Sequence, residues 1–171
     1  RVCEMNGKRD LRLDGARLWD RLMEMAKVGA TQKGGSCRLA LTDFDKQGRD
    51  LFVRWCKEAG STIRIDRMGN IFARRAGRSD HLAPEMTGSH LDTQPTGGRF
   101  DGVYGVLAGL EVIRTLNDLD HVTERPIEVV TLRVRGRGHV ERPAWPELPR
   151  SRPRRARGVR TRPARGHLAV H

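Results

Sequence analysis

The sequence predicts an α/β fold for residues 1–132. Three features support it: segment 85–90 has the composition of a short strand, segment 103–119 has the apolar periodicity of a helix, and segment 127–132 is a continuous apolar run. Strand, loop, helix and strand in this order are the βαβ unit of an α/β domain. About 130 residues can bury one modest core, so we expect one domain in this part of the chain.

The first helix is predicted at about 14–28. Asp14 is suited to the N-cap, and Gly29 ends the helix. The residues expected on its buried face are Leu18, Leu22, Met25 and Ala26. The segment 30–37 is rich in glycine and predicts a loop.

The second helix is predicted to begin at Thr42, because Thr42 with Asp45 three residues later resembles a capping box. It ends at Gly60. The residues expected on its apolar side are Phe44, Leu51, Phe52, Trp55 and Cys56. Beyond it, the alternation in 61–66, the turn at 68–70 and the segment 71–74 predict a β-hairpin.

The βαβ unit follows. Its helix carries an apolar stripe of Val106, Leu107, Leu110, Ile113 and Leu116. Residues 124–126 (Glu-Arg-Pro) break the helical pattern, and the apolar run 127–132 is typical of a strand that is buried on both faces.

Candidate metal-binding residues lie in TGSHLDT (87–93) and GGRFDG (97–102). His90 and Asp92 are expected at the C-terminal end of a strand, with Asp101 just before a helix, and open α/β sheets form their sites there. Imidazole and carboxylate are preferred zinc ligands, and a ligating histidine needs a carboxylate or carbonyl at its other nitrogen. This pattern suits Asp92 to orienting His90, and Asp101 to binding or bridging metal. In the competing interpretation, His90 is an ordinary loop histidine and Asp101 caps the following helix.

The stretch GSHLDTQPTGGRFDGVYGVLAGLEVIRTLND (88–118) resembles the signature of the zinc-dependent amidohydrolases of the M20 metallopeptidase superfamily. These are the N-carbamoyl-L-amino-acid hydrolases, β-ureidopropionases and allantoate amidohydrolases of the hydantoinase/carbamoylase family. The stretches DRMGNIFARRAG (66–77) and LTDFDKQGRDLFVRWCKEAG (41–60) are similar to that family too. The resemblance covers roughly residues 10–132 of the chain.

The resemblance implies a partial αβα catalytic domain of the M20 type at 1–132. It further implies that His90 is a metal ligand, that Asp101 bridges two metal ions and that Asp92 orients the histidine. The ions would be two Zn²⁺, with Mn²⁺ as an alternative. The implied reaction is the hydrolysis of a ureido or linear amide C–N bond in a small N-carbamoyl substrate by metal-activated water, in a homodimeric intact protein. The family's general-base glutamate should follow residue 132 and is absent there.

The net charge of +12 is concentrated in residues 133–171, which hold 12 Arg, no Lys and two Glu. One interpretation is a basic arm that binds nucleic acid through its phosphates, and this is the alternative function. The other is an out-of-frame translation of GC-rich DNA, because Arg, Pro, Gly and Ala make up 25 of the 39 residues and residues with AT-rich codons are missing. Read one base over from about residue 136, freely chosen codons permit EGAR-x-TPGMAGAAAFA, which resembles the family's continuation. We therefore favour a frameshifted or truncated hydrolase, inactive alone, with an irregular or disordered tail.

Cysteine usage indicates the compartment. The three cysteines, Cys3, Cys37 and Cys56, are odd in number and form no CxxC pair, which disfavours a disulfide framework and favours a reducing compartment. We expect a cytoplasmic protein without membrane association, because the chain has neither a signal peptide nor an apolar run of about 18–20 residues.

Overall fold

The computed structural model describes residues 11–133 of the chain. Three helices and four strands follow in this order: α1 (Gly15–Ala26), α2 (Asp43–Glu58), β1 (Thr62–Ile65), β2 (Ile71–Arg75), β3 (Glu85–His90), α3 (Val103–Asp118) and β4 (Ile127–Leu132). The expectations for the Arg/Pro-rich tail, namely disorder, a frameshift and nucleic-acid binding, lie outside the described residues, apart from Arg133.

The four strands form one sheet in the order β1-β2-β4-β3. The hairpin β1–β2 is antiparallel, with Ile63 opposite Ala73, and β2 is antiparallel to β4. Strand β3 is parallel to β4, and its last residue, His90, lies opposite Leu132. The segment β3–α3–β4 is therefore the predicted βαβ unit, and the α/β fold class is confirmed.

Helices α1 and α2 begin where the capping residues predict. The Asp14 carboxylate accepts a hydrogen bond from the Arg17 N–H at 2.9 Å, and the Thr42 hydroxyl accepts one from the Asp45 N–H at 3.3 Å. The reciprocal half of the capping box differs from the prediction, because the Asp45 carboxylate accepts from the N–H of Leu41, one residue before the N-cap. Leu41 has a φ of +70°.

One apolar core lies between the helices and the sheet. Helix α3 packs on β3 and β4, α1 packs on α3, and α2 packs on β1. The entire predicted stripe of α3 is buried: Val106, Leu107, Leu110, Ile113 and Leu116. Four successive residues of β4, 128–131, are also buried, which confirms a strand covered on both faces.

Phe44 corrects the predicted face of α2. The sequence places it with Phe52 and Trp55, but its side chain is 49% exposed while those two are buried. Phe44 lies in the first turn of α2. Periodicity alone does not show where a helix leaves the core.

Helices of the described part, residues 11–133, are all too short or too polar to cross a membrane.

Candidate metal centre

The carboxyl end of β3 carries the candidate site. Strand β3 ends at His90, and the loop 91–102 returns the chain to the start of α3. In this way the loop places Asp101 beside the ring of His90: the distance from His90 Nε2 to Asp101 Oδ1 is 3.9 Å. His90 and Asp92 are partly buried, whereas the Asp101 side chain is 57% exposed, so the pair faces solvent on one side.

The ring of His90 is held through Nδ1. Its partner is the main-chain carbonyl of Asp92 at 2.8 Å, while the Asp92 carboxylate lies farther away, at 3.8 Å. A carbonyl oxygen only accepts hydrogen bonds, so in the neutral imidazole Nδ1 carries the proton and Nε2 keeps its lone pair. The sequence predicts that Asp92 orients His90. In the structure the main-chain carbonyl of Asp92, and not its carboxylate, makes the short contact.

Gly102 makes room for the histidine ring. It has a φ of +70°, and a Cβ atom at this position would lie 2.5 Å from the ring atoms Nδ1 and Cε1 of His90. Gly102 also occupies the N-cap of α3, for which the described residues provide no side-chain hydrogen bond. Asp101 therefore does not cap α3, in contrast to the competing interpretation of that residue, and its carboxylate faces His90 instead.

The two facing groups suit zinc as part of a larger donor set. An imidazole nitrogen with a free lone pair and a carboxylate oxygen are both zinc donors. Within residues 11–133, however, no group of three or more His, Cys, Asp or Glu side chains could hold a metal ion. The described residues by themselves thus do not complete a metal centre.

Arg38, in the loop between α1 and α2, is a neighbour of this site that the sequence analysis missed. Its side chain is 1% exposed, and its guanidinium donates to the carbonyls of Leu91 and Val28, both at 2.8 Å, and to the Ser36 hydroxyl at 3.1 Å. Burial lowers the pKa of Arg38, while the carboxylates of Asp45 and Asp92 act in the opposite direction.

One sequence signal could have indicated Arg38. Gly48 lies in the middle of α2, where glycine costs about 1 kcal/mol relative to alanine. A Cβ atom on Gly48 would lie 2.8 Å from Cδ of Arg38. A glycine inside an otherwise regular amphipathic helix therefore indicates that another part of the chain approaches the helix closely at that point.

Comparison with known proteins shows what the chain is similar to. No family model matches the chain. It is 55% identical over 118 residues to an N-carbamoyl-L-amino-acid amidohydrolase of Rhizobium meliloti, and 43% identical over 118 residues to one of Geobacillus stearothermophilus. Each match covers 69% of this chain, and 28% and 29% of the respective relative. The crystal structure of a hydantoinase/carbamoylase-family amidase from Burkholderia multivorans superposes with a TM-score of 0.70 at 69% identity, over 71% of this chain and 29% of that one.

The chain is a relative of the hydantoinase/carbamoylase amidases. It matches the N-terminal part of these proteins and spans less than a third of their length. The resemblance stated from the motifs is confirmed. His90, Asp92 and Asp101 all lie in the part of the hydantoinase/carbamoylase fold that the structure describes.

Proposed function

We propose that this chain is the N-terminal part of a metal-dependent amidohydrolase that cleaves the ureido C–N bond of N-carbamoyl-L-amino acids. The observation that carries the proposal is the pair His90 Nε2 and Asp101 Oδ1, 3.9 Å apart at the carboxyl end of β3. The names of the relatives support the substrate class. Zn²⁺ is the proposed ion, and when bound it would supply an activated water and polarise the substrate carbonyl.

The chain's own residues prepare this chemistry. The Nε2 atom of His90 is available as a metal ligand, because the Asp92 carbonyl accepts the hydrogen bond of the proton on Nδ1. Asp101 offers a carboxylate on the solvent side, which a small substrate can reach. The general base and the remaining ligands are proposed to belong to the larger part of the family's length that this chain does not span.

The 171-residue chain by itself is therefore proposed to bind Zn²⁺ weakly and to show no turnover. Titration calorimetry with Zn²⁺ is expected to show weak binding that His90→Ala abolishes. The outer-surface variant Asp20→Asn, on the exposed side of α1, serves as the control and keeps the wild-type affinity. Hydrolysis of N-carbamoyl-L-amino acids by the wild-type chain, lost on chelation and in His90→Ala, would contradict the proposed incompleteness.

The coding DNA tests the whole assignment. Read one base over from about codon 133, it is expected to give a long open frame with further histidines. The protein made from that frame is expected to hydrolyse N-carbamoyl-L-amino acids in a chelator-sensitive manner. An immediate stop codon would reject the frameshift. Salt-sensitive nucleic-acid binding that disappears on deletion of residues 133–171 would favour the basic arm instead.

A further inference from the structure

Two stretches of chain that are distant in sequence are connected by hydrogen bonds behind the candidate metal centre. The Arg38 N–H donates to the Thr93 hydroxyl at 2.7 Å, and the Thr93 N–H donates to the Arg38 carbonyl at 2.8 Å. The Thr93 hydroxyl in turn donates to the Ser36 carbonyl at 3.1 Å. The three residues are buried, so these contacts form away from solvent. The loop after α1 is thereby tied to the segment that contains Asp92.

These bonds reach both peptide groups that flank Asp92. The peptide between Leu91 and Asp92 is held by its carbonyl, which accepts from Nε of Arg38 at 2.8 Å. The peptide between Asp92 and Thr93 is held by its N–H, which donates to the Arg38 carbonyl. The C=O and N–H of a trans peptide point in opposite directions within one plane. Anchoring the Thr93 N–H therefore aims the Asp92 carbonyl at Nδ1 of His90.

The position of the Arg38 side chain is itself determined from several sides. Its guanidinium also donates to the carbonyl of Val28, at the end of α1, and to the hydroxyl of Ser36. Gly48 on α2 leaves the space that the Arg38 Cδ occupies. Because a buried carbonyl without a donor is unfavourable, loss of this guanidinium would release the Leu91 carbonyl from its present direction.

We propose that Arg38 is a positioning residue for the candidate metal ligand His90: it fixes the two peptide groups beside Asp92, and these set the carbonyl that holds Nδ1 and leave Nε2 free. This inference rests on the proposed function for the role of His90 as a ligand. The hydrogen-bonded arrangement of Arg38, Thr93 and Asp92 is a property of the chain without metal.

The test is the tautomer of His90 in the metal-free full chain, measured by ¹⁵N NMR at pH 8. Wild type is expected to show the Nδ1–H tautomer. Arg38→Met is expected to shift the population towards the Nε2–H form. The Leu91 carbonyl loses its donor, so that only the Thr93 N–H still holds the segment that carries the Asp92 carbonyl. The matched control is Arg17→Met, which removes another arginine with a buried partner, Glu111, and makes none of these contacts. Arg17→Met is expected to keep the wild-type tautomer.

Thr93→Val tests the same proposal with a variant of nearly equal volume. It removes the hydroxyl that connects Arg38 to Ser36, and it is expected to shift the His90 tautomer in the same direction. A wild-type tautomer in folded Arg38→Met would overturn the proposal. If Arg38→Met does not fold, an unchanged tautomer in Thr93→Val overturns it, and a shifted one supports it.

Zn²⁺ affinity of the same proteins separates this inference from the proposed function. A tautomer shift together with weakened Zn²⁺ binding supports both. A tautomer shift in a chain whose wild type does not bind Zn²⁺ supports the positioning role of Arg38 and contradicts the assignment of His90 as a ligand. An unchanged tautomer with chelator-sensitive Zn²⁺ binding at His90 overturns only the role of Arg38.

Discussion

The ring of His90 lies against the backbone of Gly102, at a distance that leaves no space for a methyl group. His90, at the end of β3, therefore contacts the start of α3 at a glycine, the one residue type without a side chain. The φ of +70° at Gly102 favours glycine as well. Two independent requirements, space and backbone conformation, meet at this position.

Gly102→Ala is expected to displace the His90 ring and to weaken Zn²⁺ binding, with a loss of stability of at least about 2 kcal/mol from the left-handed conformation and the clash. Calorimetry with Zn²⁺ and urea unfolding measure the two effects. Gly98→Ala is the matched control, because a Cβ at Gly98 meets nothing within 4 Å. Equal behaviour of the two variants would show that the close approach of Gly102 to His90 is unimportant.

Arg17 and Glu111 form an ion pair that connects α1 to α3. The guanidinium contacts both carboxylate oxygens of Glu111, with a shortest distance of 2.7 Å, and the Glu111 side chain is 2% exposed. The hydrogen bonds and charges of Glu111 and Asp118 raise the pKa of Arg17. Arg17→Met would leave the buried carboxylate of Glu111 without this arginine as its partner. We therefore expect a loss of about 3 kcal/mol in the free energy of unfolding.

The control for that variant is Lys46→Met. Lys46 pairs with Asp50 on the surface of α2, where the two side chains are 74% and 62% exposed, and such exposed pairs contribute little to the free energy of unfolding. Urea denaturation of both variants gives the comparison. Similar losses in the two proteins would mean that the pair between α1 and α3 is not a buried one in solution.

Asp66 makes the β1–β2 hairpin sensitive to acid. Burial acts to raise the pKa of Asp66, but hydrogen bonds from Asn70 and from the N–H of Met68 outweigh it and lower the pKa below 3.8. A carboxyl with a lowered pKa in the folded state stabilises the protein above its unfolded pKa, and this contribution is lost as the pH falls through the folded value. Asp66→Asn is expected to cost about 1 kcal/mol at pH 7 and less at pH 3, which lies below the unfolded pKa.

Urea unfolding of wild type and Asp66→Asn at both pH values measures this difference. Asp20→Asn, on the exposed side of α1, is the reference substitution. A cost of Asp66→Asn that stays the same from pH 7 to pH 3 would contradict the assignment of the acid sensitivity to Asp66.

The two cysteines of the described part are expected to differ in reactivity. Cys56 is completely buried, and burial raises its pKa to about 12, whereas Cys37 is only partly buried. Because the thiolate is the reactive form, a maleimide at pH 8 is expected to modify Cys37 in the native protein and to modify Cys56 only after unfolding. Peptide mass spectrometry after a short exposure distinguishes the sites. Modification of both at the same rate would mean that α2 opens readily.

Most of the fold could be predicted from local patterns. The caps at Asp14 and Thr42, the hairpin and the buried stripe of α3 each depend on residues that are neighbours in sequence, and the structure has all of them. The antiparallel pairing of β2 with β4 could not be predicted in this way. It joins residues such as Arg74 and Glu128, 54 positions apart, and no turn between them sets the register.

The candidate site shows the same division. The motif places His90 and Asp101 on either side of one loop, and the structure brings them together. The contact of Nδ1 with a peptide oxygen and the role of Arg38 involve main-chain atoms, whose partners do not depend on the residue types in the motif. Local sequence patterns carry little information about such contacts.

The strand order has a consequence for folding during synthesis. Among residues 11–133, β4 is the last strand in sequence, yet it lies between β2 and β3, which have no direct pairing with each other. A nascent chain that stops before residue 127 holds a hairpin and a lone strand with unpaired backbone edges, which are open to pairing with other chains. The sheet of the described residues becomes continuous only after β4 has left the ribosome.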